Sequence, residues 1–174
     1  WCSVSKACSA WLANSAASVD RPAALASSQA LQIPSRAAAH GWQLQASFEA
    51  EFSLATRDEA GSYAPFDDTL CFSSIAMTQA APFATALTAA LEAQGLTVEQ
   101  YYPELGHGQH EISIRHAEAL AAADNHIRLR ETIRGVALEY GLYASLAPKP
   151  FADQAGNGAH VHFSLWDAAG RNVF

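Results

Sequence analysis

From Trp42 the chain alternates strictly: Trp42, Leu44, Ala46, Phe48, Ala50 and Phe52 are apolar, and Gln43, Gln45, Ser47, Glu49, Glu51 and Ser53 between them are polar. A period of two predicts a half-buried strand with one polar face. The pattern returns over 109–115, where Ile112 and Ile114 oppose Gln109, Glu111 and Ser113. It returns again over 159–166, where Ala159, Val161, Phe163 and Leu165 oppose His160, His162, Ser164 and Trp166. Two segments carry a helical period instead. Over 78–94, Phe83, Leu87 and Leu91 recur every fourth residue and Gly95 supplies a stop; over 117–140, Leu129, Ile133, Val136, Ala137 and Tyr140 form one stripe ended by Gly141. Short strands are expected over 97–102 and 142–146, the latter closed by Pro148 and Pro150, and 57–69 reads as a turn-rich loop. Before Trp42 the signal is weak, and a helix between Pro22 and Pro34 is the one element expected there. The order strand, helix, strand, strand, helix, strand, strand predicts an α+β fold, a largely antiparallel sheet with helices covering one face.

Composition narrows what such a fold can do. At 174 residues the chain is long enough for one domain with a sizeable core, and 16% charged residues against about 25% in an average soluble domain argue against disorder. Ten Lys plus Arg against seventeen Asp plus Glu give a net charge of −7, so no basic stripe exists for a phosphate backbone and nucleic acid is excluded as the main partner. No apolar run reaches the roughly 18–20 residues of a membrane helix. The three cysteines form no Cys-x-x-Cys, which argues against a disulfide framework or a zinc ribbon. No basic leader precedes an apolar stretch, so the cytoplasm is the expected compartment. A first residue Trp1 and a last residue Phe174 read as a piece cut from a longer chain.

The polar faces carry the candidate chemistry. Side chains at i and i+2 of a strand share a face about 6.5–7 Å apart, so Glu49 and Glu51 project together and repel one another. A divalent cation would compensate them; a solvated outer face would tolerate them. Glu104 and Glu111 bracket a Gly-bearing turn that can bring both carboxylates to one place, and His160 and His162 repeat the i, i+2 geometry. Oxygen-rich ligation with one or two imidazoles suits Mg²⁺ or Mn²⁺. The Gly156-Asn157-Gly158 turn before the His strand could hold an anion on exposed N–H groups, but it is neither a P-loop nor a dinucleotide turn.

These residues together carry a resemblance. From Ser47 onward the chain resembles the catalytic domain of the glutamine synthetase family: the Glu-Ala-Glu-Phe strand, Glu104 followed by Gly-Gln-His-Glu111, the Ala-Ala-Asp124 helix with Arg128, Ala-Pro-Lys-Pro-Phe151, and Gly-Asn-Gly-Ala-His160 running on to Ser164 and Trp166. The resemblance divides the chain into a poorly matched segment, 1–40, and a partial catalytic domain, 41–174. It implies a ligase that phosphorylates the γ-carboxylate of glutamate with ATP and lets ammonia or another amine displace phosphate. It assigns Glu51, Glu104 and Glu111 to one divalent ion, Mg²⁺ or Mn²⁺, Glu49 and His160 to a second, Gly156 to glutamate, and His162 and Ser164 to nucleotide, with no catalytic residue assigned. It also implies a parent more than twice as long that assembles as a homo-oligomer. The alternatives are a γ-glutamyl-amine or polyamine ligase, or a non-catalytic fragment acting only in binding or assembly. Position 107 is His where Pro is frequent in the family, and position 155 is Ala where many members have Asn.

Overall fold

The computed structural model describes residues 32–174. Its elements are α1 (Gln32–Ala39), β1 (Gln43–Arg57), β2 (Tyr63–Pro65), α2 (Ser74–Glu92), β3 (Val98–Pro103), β4 (Gln109–Ile114), β5 (Ala117–Glu118), α3 (Ala119–Glu139), β6 (Tyr143–Ser145) and β7 (Ala159–Trp166). The strands form one seven-stranded sheet in which every pairing is antiparallel, as the alternating segments predict.

The fifteen-residue β1 is the hub, pairing with β2, β4, β5, β6 and β7, while β3 pairs with β4. Two strands that pair with the same stretch of β1 must lie on its opposite edges. Glu49–Ala50 pairs with both β4 and β7, and Ala55 with both β2 and β6. One edge of β1 therefore carries β5, β4 and β2 in turn, and the other carries β7 and β6.

Ala50, Phe52 and Leu54 of β1 join Ile112 and Ile114 of β4 on one face, and Phe83, Leu87 and Leu91 of α2 with Leu129, Ile133 and Val136 of α3 cover them in a single core. Both long helices thus lie on one face of the sheet. The opposite face carries Glu49 and Glu51. The helices are also tied to each other by polar contacts: Gln94 Nε2 donates to Thr132 Oγ1 (2.9 Å), and the Arg128 guanidinium donates to the Gln94 carbonyl. Among the described residues no helix is long and apolar enough to cross a membrane.

Element ends follow local chemistry. Gly95 and Gly141 adopt φ of +76° and +68°, the left-handed conformation that lets Leu96 N–H reach back to Leu91 O (3.0 Å) and Leu142 N–H to Ala137 O (2.9 Å). α2 begins at Ser74, four residues before the apolar spacing suggests, because Ser73 accepts from the N–H groups of Ile75 and Ala76 (3.1 and 3.3 Å) and so sets the first turn. Tyr140, expected on the buried stripe, lies beyond the last turn of α3 and is 44% exposed. The 57–69 loop contains β2, which closes a hairpin with the end of β1. The helix expected between Pro22 and Pro34 lies mostly outside the described residues; α1 runs through Pro34, which stands in its first turn where no N–H is needed.

Phe52 is fully buried against the rings of Phe83, Tyr101 and His110. Phe52→Ala is expected to lower unfolding free energy by about 3–5 kcal/mol in urea titrations. Leu138→Ala, on the exposed side of α3, should change it by no more than about 0.5 kcal/mol.

Candidate functional site

The pairing of β1 decides which polar groups meet. Glu49 stands opposite Ser113 of β4 and opposite His160 of β7, with His162 one pleat further along. Both imidazoles reach the Glu49 carboxylate: His162 Nε2 lies 2.8 Å from Oε1 and His160 Nδ1 3.3 Å from Oε2. The His162 hydrogen bond is the main cause that holds Glu49 below the usual carboxylate range, against an opposing effect of burial. His162, which the resemblance assigns to nucleotide, thus approaches Glu49 more closely than His160 does.

Glu51 stands opposite Glu111 across the β1–β4 ladder, so the i, i+2 pair of one strand meets a third carboxylate on the next. Each has its own neutral donor. Gln109 Nε2 donates to Glu51 Oε2 at 2.7 Å, and the Tyr102 hydroxyl donates to Glu111 Oε1. Glu104 follows β3, where its carboxylate accepts from Leu105 N–H (3.0 Å) and its own N–H donates to Gln109 O (2.7 Å). Desolvation is the largest cause raising Glu104 and Glu111, and repulsion from Glu49 and Glu51 adds to it in both. Glu49, Glu51, Glu104 and Glu111 therefore share one electrostatic field. The Arg ion pairs of the described residues, Arg115–Glu99, Arg134–Glu131 and Arg171–Asp167, include none of the four, and the imidazoles of His160 and His162 are the basic groups that reach Glu49.

The turn before β7 closes over this cluster. Asn157 anchors it by donating from N to Pro148 O (2.8 Å) and from Nδ2 to the carbonyls of Ser145 and Ala147 (3.1 and 2.9 Å). A Cβ at Gly156 would fall 2.7 Å from the main-chain Pro148 O, which has little room to give, and one at Gly158 would fall 2.8 Å from Glu51 Oε1, so a side chain there would push the carboxylate aside. Gly158 O also accepts from Glu51 N–H (3.2 Å). Gly156 itself touches the cluster through its carbonyl, 3.0 Å from Gln109 Nε2.

Beside Glu49, on the same face, runs an open groove of about 720 Å³ lined by Gln45, Ser47, Ser113, His116, His162 and Ser164 among others. The sheet thus brings His162 and Ser164 to the wall of a groove that Glu49 also lines. At its far end the His116 ring stacks near Trp166, with centroids 5.9 Å apart and planes 17° apart. Sequence reasoning missed Gln109, Tyr102, Ser113 and His116. The signal for the first three was present, since Gln109 and Ser113 flank Glu111 at i±2 and Tyr102 precedes Glu104 by two.

The donor set suits a hard divalent cation: four carboxylates and an imidazole, crowded, partly desolvated and not neutralised by Lys or Arg. Among the described residues no three acidic, His or Cys side chains already stand at caging distance from a common point. Gln109 bonds Glu51, Tyr102 bonds Glu111, and the two histidines bond Glu49, so these three carboxylates have separate partners.

Comparison with known proteins places the chain in a family. Residues 28–174 match the glutamine synthetase catalytic domain. The chain is 36% identical over 128 residues to a γ-glutamylpolyamine synthetase of Streptomyces coelicolor, covering 73% of this chain and 28% of that protein. It is 33% identical over 144 residues to a glutamine synthetase of Halobacterium salinarum, covering 82% of this chain and 32% of the relative. Among solved structures, the GmaS/ADP complex superposes with a TM-score of 0.73 at 33% identity over 82% of this chain and 34% of the other. The chain spans about a third of the length of these relatives, and it belongs to the glutamine synthetase family.

Proposed function

We propose that residues 41–174 are part of the catalytic domain of an ATP-dependent ligase that forms a γ-amide of glutamate through a γ-glutamyl phosphate. The observation that carries this reading is the grouping of Glu49, Glu51, Glu104 and Glu111 on one sheet face, with His160 and His162 on Glu49, no Lys or Arg ion pair to any of the four, and a groove beginning at Glu49. Glu51, Glu104 and Glu111 would hold one Mg²⁺ or Mn²⁺, and Glu49 with His160 a second. Bound there, such ions supply neutralisation of the phosphate oxygens of ATP and of the charge that develops in phosphoryl transfer. The groove lined by His162 and Ser164 is where the nucleotide would lie, its phosphates toward Glu49, and the turn at Gly156 offers main-chain groups to glutamate. The likeness to a γ-glutamylpolyamine synthetase supports a second reading of the acceptor, an organic amine in place of ammonia.

Calorimetric titration of Mn²⁺ into the folded chain tests the metal assignment. Saturable binding is expected, and Glu51→Ala or His160→Ala should weaken it by at least the roughly 10–100-fold that loss of a supporting residue costs at metal sites. Glu131→Ala, on the exposed face of α3, should leave it unchanged. Binding that is absent, or indifferent to Glu51 and His160, overturns the assignment.

The 174-residue chain alone is expected to show no ATP- and glutamate-dependent phosphate release, since it spans about a third of its relatives. Robust turnover by the isolated chain would contradict that. Offering ammonia and then polyamines to the full-length parent separates the two acceptor readings.

A further inference from the structure

Gln109 is the first residue of β4 and only 2% exposed, so every bond it makes is made away from water. Its Oε1 accepts from Gly106 N–H (2.8 Å), which fixes the amide orientation and turns Nε2 toward three acceptors. These are Glu51 Oε2 at 2.7 Å, Gly156 O at 3.0 Å and Asn157 Oδ1 at 3.1 Å. The shortest goes to the charged oxygen, as a charge-assisted bond does. Asn157 Oδ1 in turn lies 3.2 Å from Ser53 Oγ, and Ser53 is the register partner of Gln109 on β1. One side-chain amide therefore joins a carboxylate of β1, the turn after Glu104 and the turn before β7.

We infer that Gln109 is a positioning residue, whose amide sets the orientation of the Glu51 carboxylate and the place of the Gly156–Asn157 turn together, so that neither moves without the other. The inference rests on the proposed function for the role of Glu51, but the coupling itself does not need a metal. A buried glutamine needed only to fill space would be satisfied by main-chain partners; Gln109 instead spends its shortest bond on the carboxylate. The requirement is for a donor of that length. Glutamate at 109 keeps the reach and can still accept from Gly106 N–H; ionised it cannot donate at all, and protonated it has a single O–H, so it cannot donate to Glu51 and to the turn together.

Gln109→Glu therefore makes a test in which charge and position act in opposite directions. An added negative charge beside the cluster would tighten Mn²⁺ binding, whereas loss of positioning weakens it. The expected result is binding weaker by about tenfold or more, together with faster hydrogen exchange at Asn157 N–H, which bonds Pro148 O in the anchored turn. Tighter or unchanged binding with unchanged exchange overturns the inference. If the parent chain binds no Mn²⁺, the metal reading fails, and exchange at Asn157 alone decides the coupling: faster in the variant supports it, unchanged overturns it. If circular dichroism shows that the variant does not fold, the unsubstituted chain supplies the answer by NMR. There the Gln109 side-chain amide protons should exchange slowly and shift on addition of Mg²⁺; rapid exchange overturns the inference.

Discussion

The two-faced alternation of β1 is the constraint on which the rest of this structure depends. Phe52 and Leu54 are fully buried beneath α2 and α3, while Glu49 and Glu51, one residue away on the opposite face, meet a third carboxylate across the ladder. A slip of one residue would exchange the two sets, which fixes the register absolutely. The magnitudes show which effect wins. Burying two large apolar side chains contributes roughly 3–6 kcal/mol. Two carboxylates at strand i, i+2 spacing in a surface-like dielectric repel by only about 2–3 kcal/mol. Burial of the apolar face can therefore hold Glu49 and Glu51 side by side on the opposite one.

The hub geometry also explains why the cluster draws on so many segments. Because β1 pairs along both edges, a side chain on its polar face has neighbours on β4 and on β7 at once. Glu49 gains Ser113 on one side and His160 on the other, and Glu51 gains Glu111 from β4 and the Gly158 main chain from the turn before β7. The donors that manage the carboxylates are Gln109, Tyr102, the Leu105 N–H and two histidines. A lysine or arginine in any of these places would stabilise the empty cluster and compete with a divalent ion. The neutral donors among them, Gln109, Tyr102 and the Leu105 N–H, orient the oxygens of Glu51, Glu111 and Glu104 and leave their charge available.

Which parts of this were legible in the sequence follows from how local each feature is. Strand alternation and the Gly95 and Gly141 stops depend on a few neighbouring residues, and they appear where the pattern places them. Apolar spacing alone starts α2 too late because a serine cap, not an apolar residue, sets its first turn. The stripe of α3 extrapolates past the last turn to Tyr140, which the helix end leaves exposed. The pairings of β1 are another matter: nothing in the residues 49–51 says that 111 and 160 will stand opposite them. The acidic residues themselves were legible, since four carboxylates on polar strand faces are conspicuous, whereas Gln109 looks in the sequence like any strand-edge glutamine. Its role becomes visible only when residues 106, 51 and 156 come within reach of one amide.

His107 and Ala155 lie in two turns that the Gln154 side chain and the Gln109 amide join. His107 N–H donates to Gln154 Oε1 at 3.0 Å, a bond that a proline at 107 has no hydrogen to make. A Cβ on the neighbouring Gly106 would lie 3.4 Å from Ala155 N, so even the smallest side chain there would press against the second turn. Where proline would stiffen the first turn by itself, this chain stiffens it by tying it to the second. The tie runs alongside the Gln109 amide, which bonds Gly106 on one side and Gly156 and Asn157 on the other. The turn after Glu104 and the turn that carries Gly156 are thus fastened at two points, one at the buried amide and one nearer the surface. A carboxylate of the cluster and a candidate substrate loop then belong to one mechanical unit, whose rigidity comes from hydrogen bonds between the turns and not from either turn alone.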